Sequence, residues 1–169
     1  MPSDQPQDPT TQPPQGSRIR RARLEETATL SDLALRSKAH WRYDAAFLEA
    51  CREDLAITAD DIAHAPVFVL EEAGRLIGFY ALREAGDEAL LTDLFVDPDH
   101  IGRGHGHRLW EHAAGTARRS GFAALTLHSD PHAEGFYRAM GAVRVGVVPS
   151  TVFPDRLLPL MRFPLHHTR

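Results

Sequence analysis

The chain lacks the features that mark disulfide-rich and membrane-spanning proteins. Cys51 is its one cysteine, so it can form neither an internal disulfide nor a cysteine-based metal cluster. No apolar run approaches the roughly 20 residues that a membrane-spanning helix needs, and residues 1–17 lack the apolar stretch of a secretory signal. We therefore expect a reduced, cytoplasmic protein with no membrane partner.

An excess of positive charge is also absent. The sequence holds 19 Lys and Arg against 23 Asp and Glu, which gives a formal net charge of −4 with histidine neutral. Proteins that bind nucleic acid through its phosphate backbone need a basic surface. We therefore expect no nucleic-acid partner, although an overall negative charge leaves room for a local basic patch.

The chain divides into a tail and one domain. Residues 1–17 contain five of the 12 prolines, four glutamines and almost no apolar side chain. Such a segment cannot bury enough apolar surface to offset the entropy of ordering, so it predicts a disordered Pro/Gln-rich tail. The remaining residues, 18–169, are long enough to bury a core as a single domain.

Apolar periodicity in this domain predicts a mixed α/β (α+β) fold with the order β-α-α-β-β-β-α-β-α-β-β. The predicted strands are Arg18–Arg23, Val67–Glu71, Leu76–Arg83, Ala89–Val96, Phe122–His128, Val143–Val147 and Leu157–Phe163. The predicted helices begin at Thr27, cover Asp44–Leu55, follow the glycines at 102–106, and run from Pro131 to Met140.

A glycine-rich loop is the most informative stretch. The buried strand Ala89–Val96 leads through a turn into Gly102-Arg103-Gly104-His105-Gly106 and then directly into a helix. Alternating glycines leave backbone N–H groups accessible, and a helix start adds unpaired N–H groups and a positive dipole end. The loop therefore predicts a site for a phosphate or pyrophosphate, with Arg103 and Arg108 adding full positive charge.

Two common phosphate-binding motifs do not fit this loop. The dinucleotide motif G-x-G-x-x-G lacks its third glycine whether counted from Gly102 or Gly104, where His107 or Leu109 stands instead. The P-loop motif needs Gly-Lys, a pair that occurs nowhere in the chain. A nucleotide-phosphate protein of either kind is therefore a disfavoured alternative.

The loop resembles the signature of the GNAT superfamily of acyl-CoA-dependent N-acetyltransferases, [Q/R]-x-x-G-x-[G/A]. The stretch 101–106 matches at Gly104 and Gly106, with Ile101 at the Gln/Arg position. The family's next helix often reads N-x-x-A-x-x-F-Y-x-x-x-G-F. The stretch 130–142 matches it at four positions, Ala133, Phe136, Tyr137 and Gly141, and departs from it with Asp130 for Asn and Ala142 for Phe.

The resemblance implies a GNAT fold, in which helices flank a twisted, mostly antiparallel sheet whose fourth and fifth strands splay apart. It implies acetyl-CoA as the acyl donor, with its pyrophosphate on the loop amides and its pantetheine arm along the freed edge of the fourth strand. The implied cofactor-binding residues are Leu94, Phe95, Val96, Ile101, Gly102, Arg103, Gly104, His105, Gly106, His107, Arg108, Asp130, Ala133, Phe136 and Tyr137.

Tyr137 and Asp93 are the candidate catalytic residues. A tyrosine with an ordinary pKa near 10 stays protonated at neutral pH and can donate to a leaving thiolate, which makes Tyr137 the candidate acid. Asp93 is an unusual carboxylate within an apolar strand and is the candidate base. Glu84, Glu88, His128 or a chain of water molecules are alternatives for the base.

The amine acceptor is the least determined part of the sequence reading. By analogy with the family, the candidate substrate-binding residues are Trp41, Tyr43 and Tyr80, with Ser150 and Arg156 in a late loop as weaker candidates. We expect a small-molecule or peptide amine as acceptor and a possible homodimer.

Two further readings concern metals and catalysis. We expect the ten histidines to bind no metal, because no cysteine accompanies them and His105 and His107 lie in the phosphate loop. The alternative function is a non-catalytic acyl-CoA-binding or regulatory module with the same fold.

Overall fold

A seven-stranded sheet organises the computed structural model, which describes residues 16–166. Its strands are β1 (Arg18–Arg21), β2 (Val67–Glu72), β3 (Arg75–Ala85), β4 (Glu88–Val96), β5 (Ala124–His128), β6 (Val143–Pro149) and β7 (Leu157–Pro164). Their order across the sheet is β1-β2-β3-β4-β5-β7-β6, and β4 and β5 form the one parallel pair among these strands. Residues 1–15 of the predicted tail lie outside the described residues.

Helices cover both faces of this sheet. They are α1 (Thr27–Ala39), α2 (Ala45–Leu55), α3 (Ala59–His64), α4 (His105–Arg119) and α5 (Glu134–Ala139). Short 3-10 turns precede α1, α4 and α5, at Leu24–Glu26, Pro98–His100 and Pro131–Ala133. Within residues 16–166, no helix has the length and apolar character needed to cross a bilayer.

The predicted mixed α/β fold is confirmed, and the predicted element order needs one addition. The short helix α3 begins with a capping box, in which the Thr58 hydroxyl accepts from the Asp61 N–H at 3.1 Å and the Asp61 carboxylate accepts from the Thr58 N–H at 2.9 Å. This reciprocal pairing satisfies N–H groups that a helix start otherwise leaves free. The Thr-x-x-Asp capping pattern is present in the sequence, but six residues give too little apolar periodicity to predict a helix.

Two apolar clusters lie on opposite faces of the sheet. Along β3, Phe79 and Ala81 belong to the cluster with α1 and α2, whereas Tyr80 and Leu82 belong to the cluster with α4. This alternation is the period of two that a strand imposes on its side chains. Gly78 permits the close approach of α4, because a Cβ there would lie 2.9 Å from a methyl group of Leu109.

The sheet opens between β4 and β5. These strands pair over Ala89–Leu91 and Leu125–Leu127, whereas the pairing of β4 with β3 continues to Val96. The register of β3 and β4 shifts at Thr92, which is the extra residue of a β-bulge. Among the described residues, the second half of β4 therefore has no strand on its β5 side, as the splayed-sheet prediction requires.

Candidate active site

A cavity of about 930 Å³ begins where β4 and β5 separate. The loop between β4 and α4 lines one end of it, and the second half of β4 together with Tyr137 lines its middle. The last turns of α1 and α2, with the loop between β6 and β7, line the other end. We call these two ends the loop end and the far end.

The loop end is an anion-binding arrangement of backbone groups. Gly102 and Gly104 have φ values of +83° and +82°, a left-handed conformation that glycine adopts without strain. The hydrogen-bond ladder of α4 begins with the Arg108 N–H donating to the Gly104 carbonyl at 3.1 Å. The amides before Arg108 therefore have no partner within the helix, and they lie at its positive dipole end.

The space around these glycines suits a phosphate group. A Cβ added at Gly102 or Gly104 would meet no atom of the described part of the chain within 4 Å, so the approach to the backbone there is open. Gly106 differs, because a Cβ there would lie 3.2 Å from the ring of Phe136 on α5. The missing side chain at Gly106 thus lets α5 pack against the start of α4.

The side chains of the loop differ in whether they line the cavity. Ile101, which replaces the Gln or Arg of the signature, is 45% exposed and lines the cavity. Arg103 and Arg108 are exposed and do not line it, and the Arg108 guanidinium donates to the hydroxyl and carbonyl oxygens of Ser17. His105 is buried and lines the cavity; burial lowers its pKa, and neither ring nitrogen has a hydrogen-bond partner within the described chain.

The free edge of β4 follows the loop. Leu94, Phe95 and Val96 all line the cavity, in the part of β4 that has no β5 partner. Backbone groups on this side can pair with an extended ligand in the way that an added strand would.

Tyr137 and Asp93 line the same cavity. Tyr137 is 7% exposed, and its hydroxyl makes no hydrogen bond to any described residue. Burial raises its pKa, and the negative charges of Asp93 and Asp130 raise it further, so the phenol stays protonated at neutral pH. Desolvation raises the pKa of Asp93 to about 6, against a hydrogen bond of 2.9 Å from the Thr92 hydroxyl that lowers it.

The alternatives to Asp93 are placed less favourably, with one exception. Glu88 accepts from the Arg162 guanidinium at 2.8 Å, and neither Glu88 nor Glu84 lines the cavity. His128, at the end of β5, does line it.

Asp130 faces the far end rather than the loop end. Its carboxylate accepts from Lys38 Nζ at 2.6 Å and from the Tyr43 hydroxyl at 2.9 Å, and it lies 3.5 Å from the Arg156 guanidinium. It also accepts from the His132 N–H, which caps the turn before α5. Burial raises the pKa of Asp130, but the hydrogen bond and charge of Lys38 outweigh that effect and lower it.

The three predicted substrate-binding residues have different positions. Trp41 lines the cavity and stacks on His132, with ring centroids 5.4 Å apart. Tyr43 does not line it and instead supports Asp130. The prediction for Tyr80 does not fit the structure, because this fully buried residue points toward α4 and its hydroxyl contacts the side chains of His112 at 2.7 Å and Thr116 at 2.9 Å.

The structure also adds residues that the sequence did not single out. Lys38, Asp54 and Thr151 line the far end, where the Thr151 hydroxyl donates to the Asp54 carboxylate at 3.0 Å. They come from three separate segments, so no local motif joins them. One feature of the sequence distinguishes Lys38, because it is the only lysine in the chain. In the structure its side chain lines the cavity.

Comparison with known proteins identifies a family. The acetyltransferase (GNAT) domain matches residues 27–150. Serotonin N-acetyltransferase 2, chloroplastic, from Oryza sativa subsp. japonica is 33% identical over 88 residues, which cover 47% of this chain and 43% of that protein. The chain spans less than half the length of the curated relatives it matches.

Solved structures share the fold at low identity. PaiA N-acetyltransferase from Thermoplasma acidophilum, in complex with coenzyme A, superimposes with a TM-score of 0.73 at 18% identity, over 88% of this chain and 99% of that one. The ribosomal-protein-S18-alanine N-acetyltransferase from Escherichia coli gives 0.68 at 20% identity, over 91% and 97% of the two chains.

Proposed function

Because the chain belongs to the acetyltransferase (GNAT) domain family, we propose that it transfers an acetyl group from acetyl-CoA to a primary amine, by direct attack within a ternary complex. One observation carries the proposal. The glycine loop, the free edge of β4, Tyr137 and Asp93 all line a single cavity, which places an anion-binding end and titratable groups in reach of one extended ligand.

Acetyl-CoA would occupy the loop end and the free strand edge. When bound, it supplies an activated acyl thioester and a pyrophosphate. The amides around Gly102 and Gly104 fit the pyrophosphate, because the backbone there is accessible and lies just before the start of α4. The segment Leu94–Val96 fits the pantetheine arm, since no strand within residues 16–166 pairs with its β5 side.

A backbone N–H of this β4 segment would polarise the thioester carbonyl. Such a donor is held in place by the sheet and needs no reorganisation as negative charge grows on the oxygen. Removal of one comparable donor in other enzymes costs about 3 kcal/mol of transition-state stabilisation. The bulge at Thr92 is what frees this part of the strand for the role.

Tyr137 would protonate the leaving thiolate. Its raised pKa keeps the phenol protonated at neutral pH, and its hydroxyl has no competing hydrogen bond within residues 16–166. A thiol has an ordinary pKa near 8.5, so proton donation assists departure of the thiolate.

Asp93 would receive the proton of the acceptor ammonium. A pKa of about 6 makes this carboxylate a stronger base than an ordinary aspartate, yet leaves it mostly ionised at neutral pH. Its negative charge would also hold the ammonium beside the thioester before the proton is lost. His128 is the remaining alternative that lines the cavity.

Thiol release measured with acetyl-CoA and a panel of primary amines tests the proposal. We expect amine-dependent release of free CoA together with an equal amount of acetylated amine. Binding of acetyl-CoA without release for any amine would instead favour the non-catalytic module.

A further inference from the structure

The far end of the cavity is lined by a loop that is held by several contacts. We call residues 150–156, between β6 and β7, the roof loop. The Thr151 hydroxyl donates to Asp54 on α2 at 3.0 Å, and the Arg156 guanidinium donates to the Tyr43 hydroxyl in the connection between α1 and α2. Two segments more than 90 residues apart in sequence therefore meet across this end.

Aromatic packing reinforces these hydrogen bonds. Phe153 of the roof loop stacks on Phe47 of α2 with ring centroids 4.9 Å apart, and Phe47 stacks on Tyr43 at 4.0 Å. The Arg156 guanidinium lies over both Tyr43 and Phe47, at 5.2 and 5.1 Å from the ring centroids. Stacked rings and cation–π contacts of this kind hold the loop against α2.

The roof loop is also braced internally. The Ser150 hydroxyl accepts from the N–H groups of Val152 and Phe153, each at 3.2 Å. The Ser150 N–H donates to the Arg156 carbonyl at 2.8 Å, which closes the base of the loop. A loop with its own hydrogen bonds keeps its shape as a unit, so its contacts with α2 act together.

Asp130 connects the roof loop with α5, the helix that carries Tyr137. Its carboxylate contacts Arg156 and Lys38, and its backbone precedes the turn that leads into α5, where Tyr137 lies. Asp130 therefore contacts the roof loop and also precedes the helix that carries the candidate acid.

We propose that the acceptor is a small-molecule primary amine that binds whole at the far end of the cavity, rather than the amino terminus or a lysine of a polypeptide. This inference rests on the proposed acetyl transfer. A polypeptide acceptor needs an open groove in which the residues next to its amine can lie. Thr151 and Arg156 line the cavity and bond to α2 and to the connection before it, which narrows such a groove. A small amine needs no groove of this kind.

The experiment compares kcat/KM for two acceptor classes with the full chain and saturating acetyl-CoA. One class comprises low-mass aliphatic monoamines, aliphatic diamines and arylalkylamines, and the other comprises short unstructured peptides with a free α-amine or a lysine. We expect the best small amine to exceed every peptide by at least about 100-fold. A peptide that equals or exceeds the best small amine would overturn the inference.

Variants of the roof loop test whether its contacts determine binding of the amine. Arg156→Ala removes the contacts to Tyr43 and Asp130, and we expect the KM for the amine to rise about tenfold while the KM for acetyl-CoA stays unchanged. Arg52→Ala is the matched control, since Arg52 lies on α2, pairs with Glu49 and does not line the cavity.

Thr151→Val provides a milder test if Arg156→Ala does not fold. It removes the hydroxyl that bonds Asp54 and preserves the shape of the side chain, so we expect about a threefold rise in the KM for the amine. An unchanged KM for the amine in the folded roof-loop variants would contradict the inference. The absence of thiol release with both acceptor classes is a different result, because it would remove the proposed transfer itself.

Discussion

The two ends of the cavity are built from different parts of the chain. The loop end consists mainly of backbone groups within one continuous stretch, in which Gly102 and Gly104 expose the amides before α4. The far end consists of side chains from four separate segments, joined by the contacts of Asp130 and Arg156.

Under the proposed function, this difference would separate the two substrates. Backbone amides recognise a phosphate group that every acyl-CoA carries, whereas converging side chains distinguish one acceptor from another. We therefore expect substitutions at the loop end to change affinity for CoA, and substitutions at the far end to change the choice and affinity of the amine.

The largest expected effect is at the loop end. Gly104→Val places a β-branched residue at a φ of +82°, where such residues are strained, and puts a side chain into the approach to the amides. We expect the Kd for CoA to rise by about 100-fold or more, measured by titration calorimetry.

Gly86→Val is the matched control for this change. Gly86 has a φ of +67° and open space around it, but it lies in the turn between β3 and β4, outside the cavity. An equal loss of CoA affinity in both variants would show that general strain, rather than the cradle, is responsible.

Tyr137→Phe tests the junction between the two ends. It removes the hydroxyl and keeps the ring that packs near Trp110, at 5.7 Å between centroids. We expect kcat to fall by about 100-fold with the Kd for CoA unchanged. Tyr80→Phe is the control, since Tyr80 is also buried but faces α4; full turnover by Tyr137→Phe would refute the acid role.

The pH dependence of kcat/KM tests Asp93. If its ionised form takes the proton, activity should rise with pH along a limb near pH 6, and Asp93→Asn should lose that limb together with about tenfold or more in rate. Thr92→Val removes a hydrogen bond that lowers the pKa of Asp93, so it should shift the limb to higher pH. A limb that persists in Asp93→Asn would favour another base such as His128.

Asp93 should also affect stability in a defined direction. Its folded pKa of about 6 lies above its ordinary value of 3.8, so the native state binds more protons than the unfolded chain between these values. The free energy of unfolding should therefore fall as pH rises through this window. Denaturant titrations at pH 4 and pH 7 should show that Asp93→Asn reduces this decline.

The smallest expected effect on activity comes from Asp97, just before the loop. Its buried carboxylate accepts from Arg36 at 2.8 Å and from the Asp99 N–H at 3.0 Å. Burial raises its pKa, but these hydrogen bonds outweigh that effect and lower it. The stabilisation is therefore present above the ordinary pKa of an aspartate and is lost as pH falls through the lowered folded value.

Asp97→Asn should lower the free energy of unfolding by about 1–3 kcal/mol at neutral pH, as measured by denaturant titration, with little change in kcat. Asp99→Asn is the control, because Asp99 is exposed and contributes its backbone N–H to this contact. Equal stabilities of the two variants would contradict the role of the buried carboxylate.

The contrast between the two ends also explains what the sequence could predict. The loop end could be predicted because glycine spacing, a preceding strand and a following helix are local features, and the splayed fourth and fifth strands followed from the family resemblance. The far end depends on pairs such as Thr151 with Asp54 and Arg156 with Tyr43, which are brought together only by the fold. The prediction for Tyr80 did not fit because the residues of β3 alternate between the two faces of the sheet, and the sequence alone does not reveal which face Tyr80 occupies.

Asp130 illustrates the same limit at a single position. The sequence showed Asp where the family often has Asn, and the motif assigned it to the cofactor side. In the structure the carboxylate contacts both Lys38 and Arg156, which its negative charge joins. The sequence shows the negative charge of Asp130, but Lys38 and Arg156 are each more than 20 residues away from it in sequence.

Thermal denaturation of the full chain with CoA, ATP and NAD tests the central claim most directly, because it needs no knowledge of the acceptor. A ligand that binds only the folded state raises the melting temperature. We predict that CoA and acetyl-CoA stabilise the protein and that ATP and NAD do so much less at equal concentration. Stabilisation by ATP or NAD with none by CoA would contradict the acyl-CoA assignment.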